Sequence, residues 1–185
     1  MKYEAVVIGT SAGGLYVLID LLSALPSTFH LPVIVVQHRS KEEKSLLEEV
    51  LSQKCRIRIK QADEKETIQR SIVYIAPPDY HLLVEQDHTF SLSSDERVNY
   101  SRPSIDVLFE TAAYTYRQNL LAIILTGANH DGAAGIATVR KYGGTTLAQA
   151  PQNAMYPAMP NAAINTGCIQ HVINSEEIKR FLLNL

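Results

Sequence analysis

Tyr3-Glu4-Ala5-Val6-Val7-Ile8-Gly9-Thr10-Ser11-Ala12-Gly13-Gly14 decides the fold: a short apolar run, Tyr3 to Ile8, breaks into a string of small residues. Leu15, Leu18, Leu22 and Leu25 then recur at helical spacing until Pro26 stops them. The pattern repeats. Pro32 opens a β-branched run, Val33 to Val36, and Ser40 with Glu43 forms a capping-box pattern that predicts an amphipathic helix over Lys41 to Gln53. Arg56 to Ile59 alternates charged and apolar residues, as a strand exposed on one face does. After Ile72 to Ile75 and the breaker Pro77-Pro78, the segments His81 to Glu85 and Thr89 to Leu92 read as a hairpin. Ser104 to Gln118 is predicted helical, Leu120 to Leu125 a buried strand, Gly132 to Tyr142 helical, Thr145 to Ala148 a strand, Pro151 to Pro160 an irregular loop and Ser175 to Leu183 a closing helix. Strands that are apolar throughout and alternate with helices belong to a parallel sheet covered on both faces. The expectation is one α/β domain with a doubly wound, mostly parallel sheet and a β-hairpin insertion.

Composition narrows the function. The chain has 185 residues, 46% hydrophobic and 19% charged, enough to bury a sizeable core. A formal net charge of -2 argues against a general nucleic-acid binder. The uncharged stretch Ala5 to Ile19 is too short to span a bilayer and is broken by Gly9, Gly13 and Gly14. Cys55 and Cys168 form neither a disulfide framework nor a CxxC pair, so no metal is expected. These features describe a soluble, cytoplasmic protein whose oligomeric state the sequence leaves open.

In an open parallel sheet, ligands bind beyond the carboxyl ends of the strands. Three such ends carry unusual residues: Gly9-Thr10-Ser11-Ala12-Gly13-Gly14, Gln37-His38-Arg39, and Thr126-Gly127-Ala128-Asn129-His130-Asp131-Gly132. A serine, a histidine and an aspartate from three strand ends are what acyl transfer needs. The hydroxyl is a poor nucleophile until an imidazole takes its proton, and a carboxylate fixes the imidazole tautomer. Residues 9–13 also satisfy G-x-S-x-G, followed by a helix whose free N–H groups point at any oxyanion formed there.

Each residue also has a bland reading. G-x-S-x-G alone fits a tight turn without catalysis, His38 alone fits a strand-end histidine satisfying a carbonyl, and Asp131 alone fits a helix N-cap. His130 rivals His38 as base because it adjoins Asp131. His30, His81, His88 and His171 read as structural or exposed, and Lys41 to Lys54 as a solvated helix face. A nucleotide or metabolite binder on the same fold stays open, with Arg39 holding a ribose 2′-phosphate. G-x-G-x-x-G is not met, however, and no Walker lysine follows the glycines. A non-catalytic interaction module is the third alternative.

From about Tyr3 to Ile173 the chain resembles the catalytic domain of chemotaxis-type protein-glutamate methylesterases, the CheB family. The resemblance is carried by Ile8-Gly9-Thr10-Ser11-Ala12-Gly13-Gly14, Val35-Val36-Gln37-His38, Tyr74-Ile75-Ala76-Pro77-Pro78 with Tyr80-His81-Leu82-Leu83-Val84, and Arg102-Pro103-Ser104-Ile105-Asp106. Leu125-Thr126-Gly127, Asp131-Gly132-Ala133-Ala134-Gly135, Ala148-Gln149 and Met159-Pro160 complete it. It implies that residues 1–185 form one catalytic domain, with Ser11 the nucleophile, His38 the base and Asp131 the orienting acid. Thr10, Ala12, Ala128 and Arg102 fall at oxyanion or substrate-binding positions. The reaction implied is hydrolysis of γ-glutamyl methyl esters on a methylated chemoreceptor, releasing methanol, with receptor glutamine deamidation in some members. No cofactor is implied.

Three departures stand out. The family's usual methionine is Ala128 here, and its usual Asp-Glu after Ala-Gln is Ala150-Pro151. The altered segment Ala150 to Pro157 is expected to form an apolar rim with Met155, Tyr156 and Met159, selecting substrate without touching the chemistry. Typical members also carry an N-terminal receiver domain, whereas the first strand here starts by residue 3, so activity without a phosphodonor is expected.

Overall fold

The computed structural model describes residues 2–39 and 46–185. Among these residues, seven parallel strands form the main sheet: β1 (Ala5–Thr10), β2 (Val33–Gln37), β3 (Arg58–Gln61), β4 (Ile72–Ile75), β7 (Leu120–Ile124), β8 (Thr145–Gln149) and β9 (His171–Ile173), in the order β3-β4-β2-β1-β7-β8-β9. β5 (His81–Val84) and β6 (Phe90–Ser93) form the antiparallel hairpin. Among the described residues, six α-helices cover the sheet: α1 (Gly14–Ser23), α2 (Leu47–Lys54), α3 (Ile105–Tyr116), α4 (Ala133–Lys141), α5 (Ala158–Asn165) and α6 (Ser175–Leu183). None of the described helices is long and apolar enough to cross a membrane.

The absence of hydropathy alternation along the strands has a direct cause. Alternate residues of β1 face two different cores, and both cores are apolar. Ala5 and Val7 join α3, α4, α5 and the hairpin through Leu108, Phe109, Ile136, Ala163 and Phe90. Val6 and Ile8 join α1, α2 and α6 through Leu18, Leu22, Leu51 and Ile178. From β1 the chain steps out to β2, passes to the edge strand β3, comes back to β4 between them, and then places β7 on the other side of β1. This reversal opens the crevice at the carboxyl ends of β1 and its neighbours, where ligands bind in such sheets.

The expected elements are present, with shifts. The second helix runs Leu47–Lys54 with Leu46 at its N-cap, so it does not run unbroken from the expected Lys41; Ser40, Glu43 and the proposed cap lie outside the described residues. The edge strand β3 lies two residues later than its alternation suggests. Pro151 to Pro160 is not an irregular loop throughout. Pro151–Asn153 is a 3-10 turn, and α5 begins at Ala158 with Pro160 in its first turn, where a missing N–H costs the helix nothing. The structure adds β9, a three-residue edge strand with little apolar patterning.

α3 and α4 approach so closely that a Cβ on Gly135 would lie 2.6 Å from Phe109 Cβ and 3.2 Å from Asp106 Cα. Gly135→Ala therefore sets overpacking of about 1–3 kcal/mol against a helix-propensity gain of about 1 kcal/mol. Because Asp106 Cα belongs to a backbone that cannot turn aside, the variant is expected to be less stable than the parent by chemical denaturation. A variant as stable as the parent would mean that the two helices are free to separate.

Candidate active site

The β1–β2 register pairs Thr10 with Gln37, so the next residues, Ser11 and His38, leave the sheet side by side. The backbone fixes them there. His38 N–H donates to Thr10 O at 3.1 Å, and Ser11 N–H donates across to Thr126 O, beyond β7, at 3.0 Å. Gln37 Nε2 then donates to both Ser11 O (2.9 Å) and His38 O (3.0 Å), tying the two strand ends together. Gly13 caps α1 with φ +77, a left-handed conformation that glycine adopts at no steric cost. This lets the chain turn directly from Ser11 into the helix.

His38 Nε2 lies 2.7 Å from Asp131 Oδ2, and the side chains are 11% and 0% exposed respectively. Asp131 is held by more than the imidazole. Its carboxylate also accepts from Ile105 N–H (2.7 Å), Ser104 Oγ (2.8 Å), Asn99 Nδ2 (3.0 Å) and Asp106 N–H (3.2 Å). Ile105 and Asp106 open α3, so the carboxylate sits at the positive end of that helix. Asp131 is the N-cap residue of neither helix, since Ser104 precedes α3 and Gly132 precedes α4, but its carboxylate accepts the first N–H groups of α3 from across the fold. Asp106 reciprocates, its Oδ1 accepting Gly135 N–H of α4 at 2.7 Å. Asn99 Nδ2 bridges the two acids, 2.7 Å from Asp106 Oδ2.

Burial alone would raise the Asp131 carboxyl, but the hydrogen bonds from His38, Ile105 and Asn99 outweigh it and hold the group down to about 2. Asp106 moves the other way, raised by burial first and also by the Asp131 charge. Because Asp131 lies below its usual 3.8, its ionised form contributes stability that is present above about pH 4 and is lost as the pH falls toward 2.

The remaining candidates fall as follows. Ala12 and Ala128 present backbone N–H groups that donate to no acceptor among the described residues. The Thr10 hydroxyl is buried and donates to Thr126 O at 2.9 Å. Arg102 reaches Ser94 O (2.6 Å), Asp95 O (2.8 Å) and Asp79 Oδ1 (2.9 Å), bracing the segment that leads into α3. His130 is exposed, and it is His38, not His130, whose ring meets the Asp131 carboxylate. Arg39 forks onto Glu48 at 2.7 and 3.0 Å and donates to Ala76 O, which commits the guanidinium that a nucleotide phosphate would need. Ser11 Oγ has no hydrogen-bond partner among the described residues.

Ser11, Ala12, Leu15, Tyr16, Gln37 and His38 line an open cleft of about 400 Å³ with no charged side chain among its described lining residues. The altered segment is only partly a rim to this cleft. Met155 is 62% exposed, but Ala150 is 3% and Met159 1% exposed. The segment is also bolted to the strand ends: Tyr156 N–H donates to Thr126 Oγ1 (2.8 Å), Gly127 N–H to Tyr156 O (2.9 Å) and Met159 N–H to Gly127 O (3.1 Å). Among the described residues no group of three or more His, Cys, Asp or Glu could hold a metal ion.

Sequence reasoning gave no role to Asn99, Ser104, Asp106 or Asn129, whose Nδ2 lies 3.3 Å from His38 Nδ1. Ser104 and Asp106 stand within a quoted motif, but no spacing rule says that they meet a residue from another helix's start. Asn99 carried no signal beyond its place in a loop.

A doubly wound parallel sheet with a hydroxyl, an imidazole and a buried carboxylate at adjoining strand ends is the architecture of a hydrolase. The model of the CheB methylesterase family matches residues 6–182, and the chain belongs to that family. It is 46% identical over its whole length to a Leptospira interrogans protein named putative protein-glutamate methylesterase/protein-glutamine glutaminase, covering 96% of that protein. A Thermotoga maritima protein named protein-glutamate methylesterase/protein-glutamine glutaminase is 33% identical, matched over 98% of this chain and 54% of its own length. The crystal structure of the Thermotoga maritima CheB methylesterase catalytic domain superposes with a TM-score of 0.93 at 32% identity, covering 100% of this chain and 99% of that one.

Asp131→Ala would leave two buried N–H groups, two side-chain donors and the imidazole without their acceptor. It is expected to cost at least about 3 kcal/mol of stability, whereas Ser11→Ala stays within about 0.5 kcal/mol. Urea denaturation of the two variants checks this, and equal stabilities would show that Asp131 does not hold α3.

Proposed function

We propose that this chain hydrolyses γ-methyl esters of glutamate on methylated chemoreceptors in the cytoplasm, with Ser11 as nucleophile, His38 as general base and Asp131 as the orienting carboxylate. The observation that carries the reading is the 2.7 Å contact between His38 and a buried, five-donor Asp131, on the strand end next to Ser11. Asp131 at neutral pH can only accept, so Nε2 carries the ring proton and Nδ1 is left to act as the base.

Ser11 Oγ bonds to the ester carbonyl carbon while its proton passes to His38. The oxyanion lies against the free N–H groups of Ala12 and Ala128. The bond to the methoxy oxygen breaks, His38 returns the proton to it, and methanol leaves. Water then adds to the acyl-enzyme, giving its proton to His38. Collapse breaks the bond to Oγ, returns that proton to Ser11 and frees the glutamate. The same steps on a receptor glutamine release ammonia, the activity in the second half of the relatives' names. A neutral cleft suits an uncharged ester or amide and disfavours the carboxylate product. Tyr16, 72% exposed at its edge, offers an apolar seat for a receptor helix.

Methanol release from methylated receptor fragments tests the reading. Ser11→Ala and His38→Ala are each expected to lose about 10³-fold or more, and the double variant little further, because members of one triad act in one step. Undiminished release by Ser11→Ala would refute the assignment. Tyr16→Asp is expected to raise KM for receptor fragments several-fold while p-nitrophenyl acetate hydrolysis stays within about twofold, since a small ester does not reach the edge. Equal losses on both substrates would remove Tyr16 from substrate docking.

A further inference from the structure

Asn129 sits between the two groups that define the base. Its Oδ1 accepts the backbone N–H of Asp131 at 3.1 Å, and its Nδ2 lies 3.3 Å from His38 Nδ1. The orientation of the amide is not arbitrary. A backbone N–H only donates, so the carbonyl oxygen must face it and the NH₂ must face the ring. His38 Nδ1 therefore accepts from Asn129, in agreement with the proton on Nε2 that Asp131 requires.

We infer that Asn129 is a positioning residue for the base: its amide holds the lone pair of His38 Nδ1 in the resting site and yields it to the Ser11 hydroxyl when substrate binds. The inference rests on the proposed role of His38. A ring nitrogen has one in-plane lone pair, so Asn129 and Ser11 cannot both donate to it at once. The occupied Nδ1 and the unpartnered Ser11 Oγ are two sides of one arrangement, in which the nucleophile stays unactivated until the exchange. Donation by Asn129 also opposes a second ring proton, because an Nδ1–H would then face an N–H donor. The site thus holds the Nδ1 lone pair in place without spending Ser11 on the task.

Two acids among the described residues reach the ring or its partners. Asp131 is in direct contact, and Asp106 on α3 lies one amide away through Asn99. Glu110, also on α3, is raised by burial first and then by the Asp106 and Asp131 charges. On the β2 side Arg39 is paired with Glu48. Of these, only Asp131 bonds to Asn129, through its backbone N–H.

Asn129→Asp separates this role from a structural one. A carboxylate keeps an acceptor for the Asp131 N–H, so the turn is retained, but it replaces the donor to Nδ1 with a negative acceptor that favours the doubly protonated ring. The acid limb of the rate–pH profile on p-nitrophenyl acetate is expected to move to higher pH by about one unit or more, with the loss near neutral pH recovered at alkaline pH. An unchanged profile, or a uniform loss with the limb in place, would overturn the inference. ¹⁵N spectra of the His38 ring, read without substrate, supply a second criterion. The parent is expected to show Nε2 protonated and Nδ1 bare at neutral pH, and Asn129→Asp to take up its second ring proton at higher pH than the parent. Parent enzyme without esterase activity but with this ring behaviour would refute the proposed function and leave the Asn129–His38 contact standing. A parent ring protonated on Nδ1 would refute the contact itself.

Discussion

The buried carboxylate of Asp131 is the point on which fold and site depend together. An ionised acid removed from water is costly, and here five donors offset that cost: the imidazole, two N–H groups of α3, a serine hydroxyl and an asparagine amide. The same group that terminates α3 thereby aims His38. Asp106 closes the arrangement from the other side by capping α4. Each helix start is completed by an acid from the neighbourhood of the other, so α3 and α4 cannot shift relative to each other without disturbing the imidazole.

A similar economy joins the substrate side to the chemistry. Thr126 accepts from the Ser11 N–H and the Thr10 hydroxyl through its carbonyl, receives Tyr156 N–H at its hydroxyl, and has its own N–H taken by Gln149 Oε1. The segment after β8 is therefore continuous, through one threonine, with the strand end that carries Ser11. Of the residues expected to form a rim, only Met155 and Tyr156 expose their side chains. Ala150 and Met159 belong to the packed interior, where a carboxylate at 150 would need partners of its own.

Much of this was legible in the sequence, for physical reasons. A parallel sheet covered on both faces has strands apolar throughout, so Val33 to Val36 and Leu120 to Leu125 announced themselves, and small residues at strand ends marked the crevice. Ser11, His38 and Asp131 stood out as candidates because acyl transfer would call for those three side-chain types at such ends. Asn99 and Asn129 did not, since an amide's role depends on which donors and acceptors the fold brings to it. The helix Ala158–Asn165 was missed because prolines at 157 and 160 read as breakers, although both stand where a helix start tolerates them. β9 carries no readable pattern, because His171 and Val172 are exposed and only Ile173 packs against the core.

The central claim is that Ser11 attacks a carbonyl whose oxyanion is held by the N–H groups of Ala12 and Ala128. A crystal structure of the chain after reaction with a serine-directed fluorophosphonate addresses it directly. The account predicts a covalent bond from Ser11 Oγ to phosphorus, with the phosphoryl oxygen about 3 Å from both amide nitrogens. An adduct on another residue, or one on Ser11 whose oxygen points into solvent away from Ala12 and Ala128, would contradict it.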